Sequence, residues 1–234
     1  MREQGSMTTK HHFLNEITCL QHFPTIGGFR SMKIFPVKLS KRDSHELLMS
    51  AILPRPIAFV STIGEDGIFN VAPFSCFSPI GMKPALVCLQ ISRRRDGQKK
   101  DTLRNIEFAQ DFVVNVVDES MAEAMNQASA DYPSDVDEFK EVGLTAVKSD
   151  LVKAPRVAES PINMECKLIQ TLEFGEVPTG SHVVIGEVLI THVQDELWSG
   201  DQIDISKWKP IGRLGGQLYC RMTDRFEMKR PDVL

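Results

Sequence analysis

The sequence predicts a mainly β protein, a β-barrel with flanking helices. Three observations predict it. Residues 54–91 carry short apolar runs punctuated by glycine and proline, as strands and turns do. Residues 161–193 repeat that pattern in two longer runs, INMECKLIQTLEF and HVVIGEVLITHV. A chain of 234 residues, 42% of them hydrophobic, is long enough to fill one such barrel.

Composition excludes several classes. A net charge of -4 gives no reason to expect nucleic acid or a membrane surface as partner. No apolar run approaches the length of a membrane span. The five cysteines form no CxxC pair, so neither a zinc site nor a disulfide framework is predicted. Free thiols in a reducing cytoplasm are the expectation.

Residues 1–31 show no sustained periodicity and are read as a disordered N-terminal extension, leaving 32–234 as the folded domain. The histidines there, His11, His12 and His22, have no partner at metal-ligand spacing. Residues 43–50 suit a short helix capped by Asp43 or Ser44, with Leu47 and Leu48 facing inward. Pro54-Arg55-Pro56 ends that helix and forces an extended entry into the first strand, carried by Ile57, Phe59 and Val60. Gly64-Glu65-Asp66-Gly67 supplies a tight turn. Asn70 to Ser75 then return as an irregular strand that Pro73 makes an edge, a bulge or a rim.

Residues 84–91 are nearly continuously apolar and read as a buried strand. After a basic loop, Asp101 or Thr102 starts a helix through Leu103, Ile106 and Phe108. Residues 112–117 are the next strand, and Ser120 with Glu123 has capping-box spacing for another helix. Residues 131–156 are loop-rich and acidic at first. In the last long strand Gly186 marks a bend or bulge.

Two stretches could carry chemistry. Ser92, Arg93, Arg94, Arg95, Lys99 and Lys100 cluster before a helix start, whose free amides and dipole favour an anion. Asp101 is placed to cap that helix, and Thr102 to offer its hydroxyl and amide. On its own such a charge run is more often a solvated loop than a site. In the second stretch Pro73 breaks regular pairing, which should leave the amides of Phe74 and Ser75 free for a ligand. Ser61 and Thr62 offer hydroxyls on the neighbouring strand. His182 and His192 lack a third ligand and read as structural; no metal site is predicted. No GxGxxG follows a strand, and no acid–base pair or triad is evident, so no catalytic side chain is assigned.

RPIAFVST, NVAPFSCFSPI, the basic loop ending KKDT, SHVVIGEVLITHV and PIGRLGGQLYCR occur in that order between residues 33 and 225. Together they resemble the flavin reductase-like family, flavoredoxins included, which binds FMN in a Greek-key-like split β-barrel. The resemblance implies an FMN phosphate held by Ser92, Lys100, Asp101 and Thr102. It implies a ring edge against Asn70, Ala72, Pro73, Phe74 and Ser75, and a ribityl chain at Ser61 and Thr62. Arg55 and Arg213 would stand beside the cofactor. It further implies a homodimer with each flavin near the interface, with the loop at 212–216 or Trp208 touching the site. The excursion at 131–156 would cover part of it.

The implied activity is hydride transfer from NADH or NADPH to the flavin, with delivery to a small-molecule acceptor. The alternative is an FMN-bound electron carrier or flavin-storage protein without nicotinamide turnover. From a different class comes a barrel that binds a partner or ligand without flavin.

Overall fold

The structure is a computed structural model that describes residues 21–23 and 31–232. It divides into two compact units, Met1–Leu48 and Met49–Leu234. Most of the extension expected over 1–31 lies outside the described residues. Within it a short strand, Gln21–Phe23, pairs antiparallel with Ser31–Lys33.

Helix α1 (Lys41–Ala51) begins earlier than expected because its cap is Ser40. The Ser40 hydroxyl accepts from the Asp43 amide (3.1 Å) and donates to the Asp43 carboxylate (2.7 Å). The Ser40 side chain thus caps the Asp43 amide, and the Asp43 carboxylate holds the Ser40 hydroxyl in place. No residue of α1 is buried, which corrects the expectation of an inward Leu47–Leu48 pair. Adjacent residues on a helix point about 100° apart and do not define one face.

The second unit is built on seven antiparallel strands. They are β1 (Ala58–Ile63), β2 (Phe69–Phe74), β3 (Phe77–Met82), β4 (Ala85–Ser92), β5 (Asp111–Val116), β6 (Ile162–Phe174) and β7 (Ser181–Val193). Their order across the sheet is β2-β1-β5-β6-β7-β4-β3. The two edge strands, β2 and β3, are therefore consecutive in the chain, with only Ser75 and Cys76 between them. A sheet whose edges are joined by so short a link must curl into a barrel. The Gln90 amide donates to the Cys76 carbonyl (2.9 Å) and ties this corner to β4. Closure runs through the chain at this corner, since β2 and β3 stand at opposite ends of the hydrogen-bonded order.

Alternation places Ala58, Val60, Leu89, Ile91, Phe112, Val114, Cys166 and Val184 in the interior. Helix α2 (Asp101–Ala109) adds Leu103 and Ile106 to that core, while Phe108 stays half-exposed on its outer face. A second core covers the other face of β1, where Ile57, Phe59 and Val71 meet Met125 of α3 (Ala122–Gln127) and Phe139 of α4 (Glu138–Glu141). Strand β1 is thus buried on both faces.

Three sequence expectations are corrected here. Strand β2 is the edge strand that Pro73 predicts, but it is not irregular: it pairs with β1 without a break from Phe69–Ile63 to Phe74–Ala58, because an edge position tolerates Pro73. Strand β4 buries only Val87, Leu89 and Ile91, with Leu86 and Cys88 half-buried on its outer face. The turn before α3 is capped by Asp118, whose carboxylate accepts from the Ser120 amide (2.9 Å) and hydroxyl (2.6 Å).

Gly186 is required by a close approach. The bulge lies opposite it, where the β6 register shifts between Leu168 and Gln170. A Cβ at Gly186 would stand 2.4 Å from Cζ of Phe112, inside the barrel. Gly186→Ala should therefore overpack the core and cost about 1–3 kcal/mol. A thermal melt should show a Tm about 2–12 °C lower. An unchanged Tm would mean the Phe112 ring can move aside.

Candidate functional site

The site begins at the amino end of α2. Lys100 is the capping residue, in extended backbone (φ -64°, ψ 153°), and no side chain caps the helix. The Leu103 and Arg104 amides donate to the Lys100 carbonyl (3.1 Å each), which leaves the Asp101 and Thr102 amides without an intrahelical acceptor at the positive end of the helix. Asp101 does not cap it, contrary to expectation. Its carboxylate is held between the guanidinium groups of Arg94 and Arg104. Arg93 pairs with Glu173 and Lys99 with Glu107 (2.7 Å), while Arg95 is exposed. The nearest carboxylate to Lys100 is that of exposed Asp131, at 3.9 Å. Of this basic run, Lys100 is the weakly paired cation at the helix end.

Behind the helix end, a chain of side-chain hydrogen bonds fixes Asn70. Thr102 donates to Asn70 Oδ1 (2.8 Å), as does Thr62 (3.3 Å), which in turn accepts from Asn105 (3.1 Å). Thr102 and Asn105 are held there by Leu103 and Ile106 of the same helix, which are buried in the barrel core, and Thr62 by its place on β1, opposite Asn70.

Asn70, Ala72, Pro73, Phe74, Lys100, Asp101 and Thr102 line one cavity of about 60 Å³, faced by residues 128–132 and Glu138. An adjoining cavity of about 220 Å³ shares Pro73 and Ser129 with it and is lined by Ser75 and Arg213. Those nominated residues are therefore brought together along the open edge of β2.

The other four lie elsewhere. Arg55 is buried, and its guanidinium donates to the carbonyls of Met49, Ile52 (3.1 Å) and Leu214 (2.9 Å). Its Nε reaches Ser75 Oγ at 3.4 Å, and its backbone bridges Arg213. Arg55 thus fixes residues of the cavity wall from behind. Ser61 donates to the Pro155 carbonyl and accepts from Asn115 (2.9 Å), so its hydroxyl serves the scaffold. Thr62 is spent on Asn70. Ser92 is exposed and accepts from Gln90 (3.0 Å).

The amide pattern of β2 also differs from expectation. The Val71 amide points outward, to Glu138 Oε2 at 2.8 Å. Alternation then turns Ser75 the same way and Phe74 toward β1, so of the two only Ser75 offers its amide to the open edge. Arg213 lays its guanidinium 4.4 Å from the centroid of Tyr219.

Sequence reasoning missed Glu138. It sits in an acidic stretch that reads as solvent-facing, yet burial of the adjacent Phe139 carries it inside. Burial pushes its carboxyl up to about 7, against the pull of the Val71 amide, the Asn70 side chain and Lys100; Asp101 adds to the rise. Glu138 also borders a third cavity of about 490 Å³, lined in part by Glu65, Asp66, Asp101 and Arg104.

Neither histidine lies at these cavities. His182 is buried 3.8 Å from Glu173, and burial holds its imidazole below the usual value. His192 and Asp150 approach Glu165 closely enough to suggest a metal group. The Glu165 oxygens already accept from the Asp150 amide (2.8 Å), the Leu151 amide (2.7 Å) and His192 (2.7 Å), which makes this a structural knot.

Residues 49–203 match the flavin reductase like domain. The chain belongs to that family. A relative from Halalkalibacterium halodurans is 38% identical over 204 residues, spanning 86% of this chain and 98% of its own. Among solved structures, nitrilotriacetate monooxygenase component B from Bacillus cereus is 33% identical with a TM-score of 0.81. It covers 85% of this chain and 98% of its own. The 2-nitrobenzoate 2-nitroreductase of Pseudomonas fluorescens is 32% identical with a TM-score of 0.78, over 86% and 98%.

This flavin reductase-like protein is a split barrel, and its role is a flavin-linked redox one. No helix among the described residues is long and apolar enough to cross a membrane. The donor set fits a flavin nucleotide. An uncapped helix end beside Lys100 suits a phosphate, and the edge of β2 suits a planar ring with polar groups along one side.

Proposed function

We propose that this cytoplasmic protein binds FMN and works as an NAD(P)H-dependent flavin reductase, passing electrons to a small-molecule acceptor. One observation carries the reading. The open amino end of α2 with Lys100, and the open edge of β2, face the same cavity. Bound flavin supplies the two-electron chemistry, and the chain supplies position and field. Lys100 and the first α2 amides hold the phosphate. Asn70 to Phe74 form the wall along the cofactor, and the Ser75 amide meets the polar edge of the ring, held there by Arg55. Arg213, at the mouth of the adjoining cavity, adds positive charge where reduced flavin gains negative charge.

A homodimer is part of the proposal. Strands β3, β6 and β7 leave Ile80, Met82, Ile169 and Leu189 exposed, the kind of apolar surface that a second copy would cover. Sedimentation of the purified protein tests it, with a monomer at micromolar concentration as the contrary result.

The deciding experiment is a visible spectrum of the purified protein, before and after anaerobic NADH or NADPH. Flavin bands that bleach with nicotinamide are the expected result. Bands that persist until dithionite is added would replace the reductase with an electron carrier. Absence of flavin bands after FMN addition and desalting, together with no FMN-dependent NAD(P)H oxidation, would remove the flavin reading.

A further inference from the structure

We propose that Glu138 couples phosphate binding in the α2 cavity to uptake of a proton, so that this residue sets how tightly the flavin nucleotide is held. The inference rests on the flavin reading above. Its starting point is position. Glu138 is 7% exposed and stands in the wall shared by the 60 Å³ cavity and the 490 Å³ cavity. It lines the first beside Lys100 and Thr102, and the second opens a route by which protons can reach it from solvent.

The charges around Glu138 leave it little compensation. From α2 come Asp101 and Lys100, and the Asp101 carboxylate already engages Arg94 and Arg104. From the opposite loop come Asp131 and Tyr132. The β1–β2 turn brings Glu65 and Asp66 to the larger cavity. On its own element stand Asp137, paired with Lys140, and Glu141. Lys100 is thus the cation that steadies ionised Glu138, and the phosphate claims that same cation.

The sign follows directly. Burial already holds the free carboxyl near neutrality, at about 7. A phosphate beside it disfavours the carboxylate further, so the bound state takes up a proton. Affinity must then fall as pH rises from about 7, by at most tenfold per unit for one proton. The phosphate itself ionises near pH 6, so its own contribution lies below this limb.

Calorimetric titration with FMN and with riboflavin, from pH 6 to 9 in buffers of different ionisation enthalpy, tests the proposal. The wild type should take up a fraction of a proton with FMN at pH 7. Its FMN affinity should fall about tenfold between pH 7 and 9, with riboflavin affinity flat. Glu138→Gln keeps an oxygen for the Val71 amide. It should abolish both the uptake and the falling limb, and bind FMN about tenfold more tightly than wild type at pH 9. A pH profile shared by wild type and variant overturns the coupling. So does a variant that weakens FMN and riboflavin equally at every pH, since that is a structural latch alone. Absence of binding by both flavins at all pH values overturns the flavin reading itself.

Discussion

Replacing Lys100 and Thr102 together by alanine should weaken FMN binding about 30- to 1,600-fold. Lys100 brings the charge. Its nearest carboxylate is exposed and 3.9 Å away, so a phosphate can displace that pairing at small cost. A hydrogen bond to a charged group contributes about 1.5–3 kcal/mol. Thr102 acts through Asn70, to which it donates at 2.8 Å; losing that bond removes about 0.5–1.5 kcal/mol of fixing at the cavity wall. The sum is about 2–4.5 kcal/mol, at about 1.4 kcal/mol per tenfold. Riboflavin separates the two contributions, because it lacks the phosphate and should lose only the Asn70 part. Fluorescence titration of both flavins against the single and double variants provides the measurement. Equal losses for FMN and riboflavin would place the phosphate elsewhere.

The elements of the barrel were legible in the sequence because each carries a local signature. Glycine turns, apolar alternation and the break at Pro54-Arg55-Pro56 all act within a few residues. The helix start within KKDT was legible for the same reason, whereas the positive charge before it reads locally as a solvated loop and takes its phosphate reading from the family resemblance. Where several residues share one strand, the sequence says less. Ser61 and Thr62 present hydroxyls, but nothing local says which groups already claim them. In the fold Ser61 is claimed by Pro155, far along the chain, and Thr62 by Asn70.

The amides of Phe74 and Ser75 illustrate the same limit. Which of them faces outward depends on strand parity, revealed by the bond from Val71 to Glu138 across 67 positions. Glu138 itself was illegible because its burial is made by tertiary packing. Phe139 enters the core under β2 and brings its charged neighbour with it. Local propensity carries no record of that contact.

Glu165→Ala should lower stability by about 3–5 kcal/mol and Tm by about 6–20 °C, with little effect on FMN affinity. Glu165 is fully buried on β6, and its carboxylate accepts from two backbone amides and from His192. Alanine would strand all three donors, and Arg156, whose Nε already lacks a hydrogen bond, would lose its neighbouring anion at 3.8 Å. The segment it anchors, 149–157, is also tied by Asp111 to the Lys153 and Ala154 amides (3.1 Å each) and by Asn115 to the Val157 amide (2.9 Å). These ties grip β5 and β6, away from the open edge of β2, so the fold should loosen without reshaping the cavity. Glu165→Gln adds a pH test. Burial raises this carboxyl, but the Asp150 and Leu151 amides and His192 outweigh it and hold it below the usual carboxylate value. A folded-state value below the unfolded one gives stability that is present above about pH 4.3 and lost as pH falls through the folded value. The Tm gap between wild type and Glu165→Gln should therefore be full at pH 7 and narrow on acidification below about pH 4. A gap that stayed constant with pH would show that the ionised carboxylate contributes nothing beyond its shape. Loss of FMN binding at unchanged Tm would instead put the 149–157 segment in contact with the cofactor.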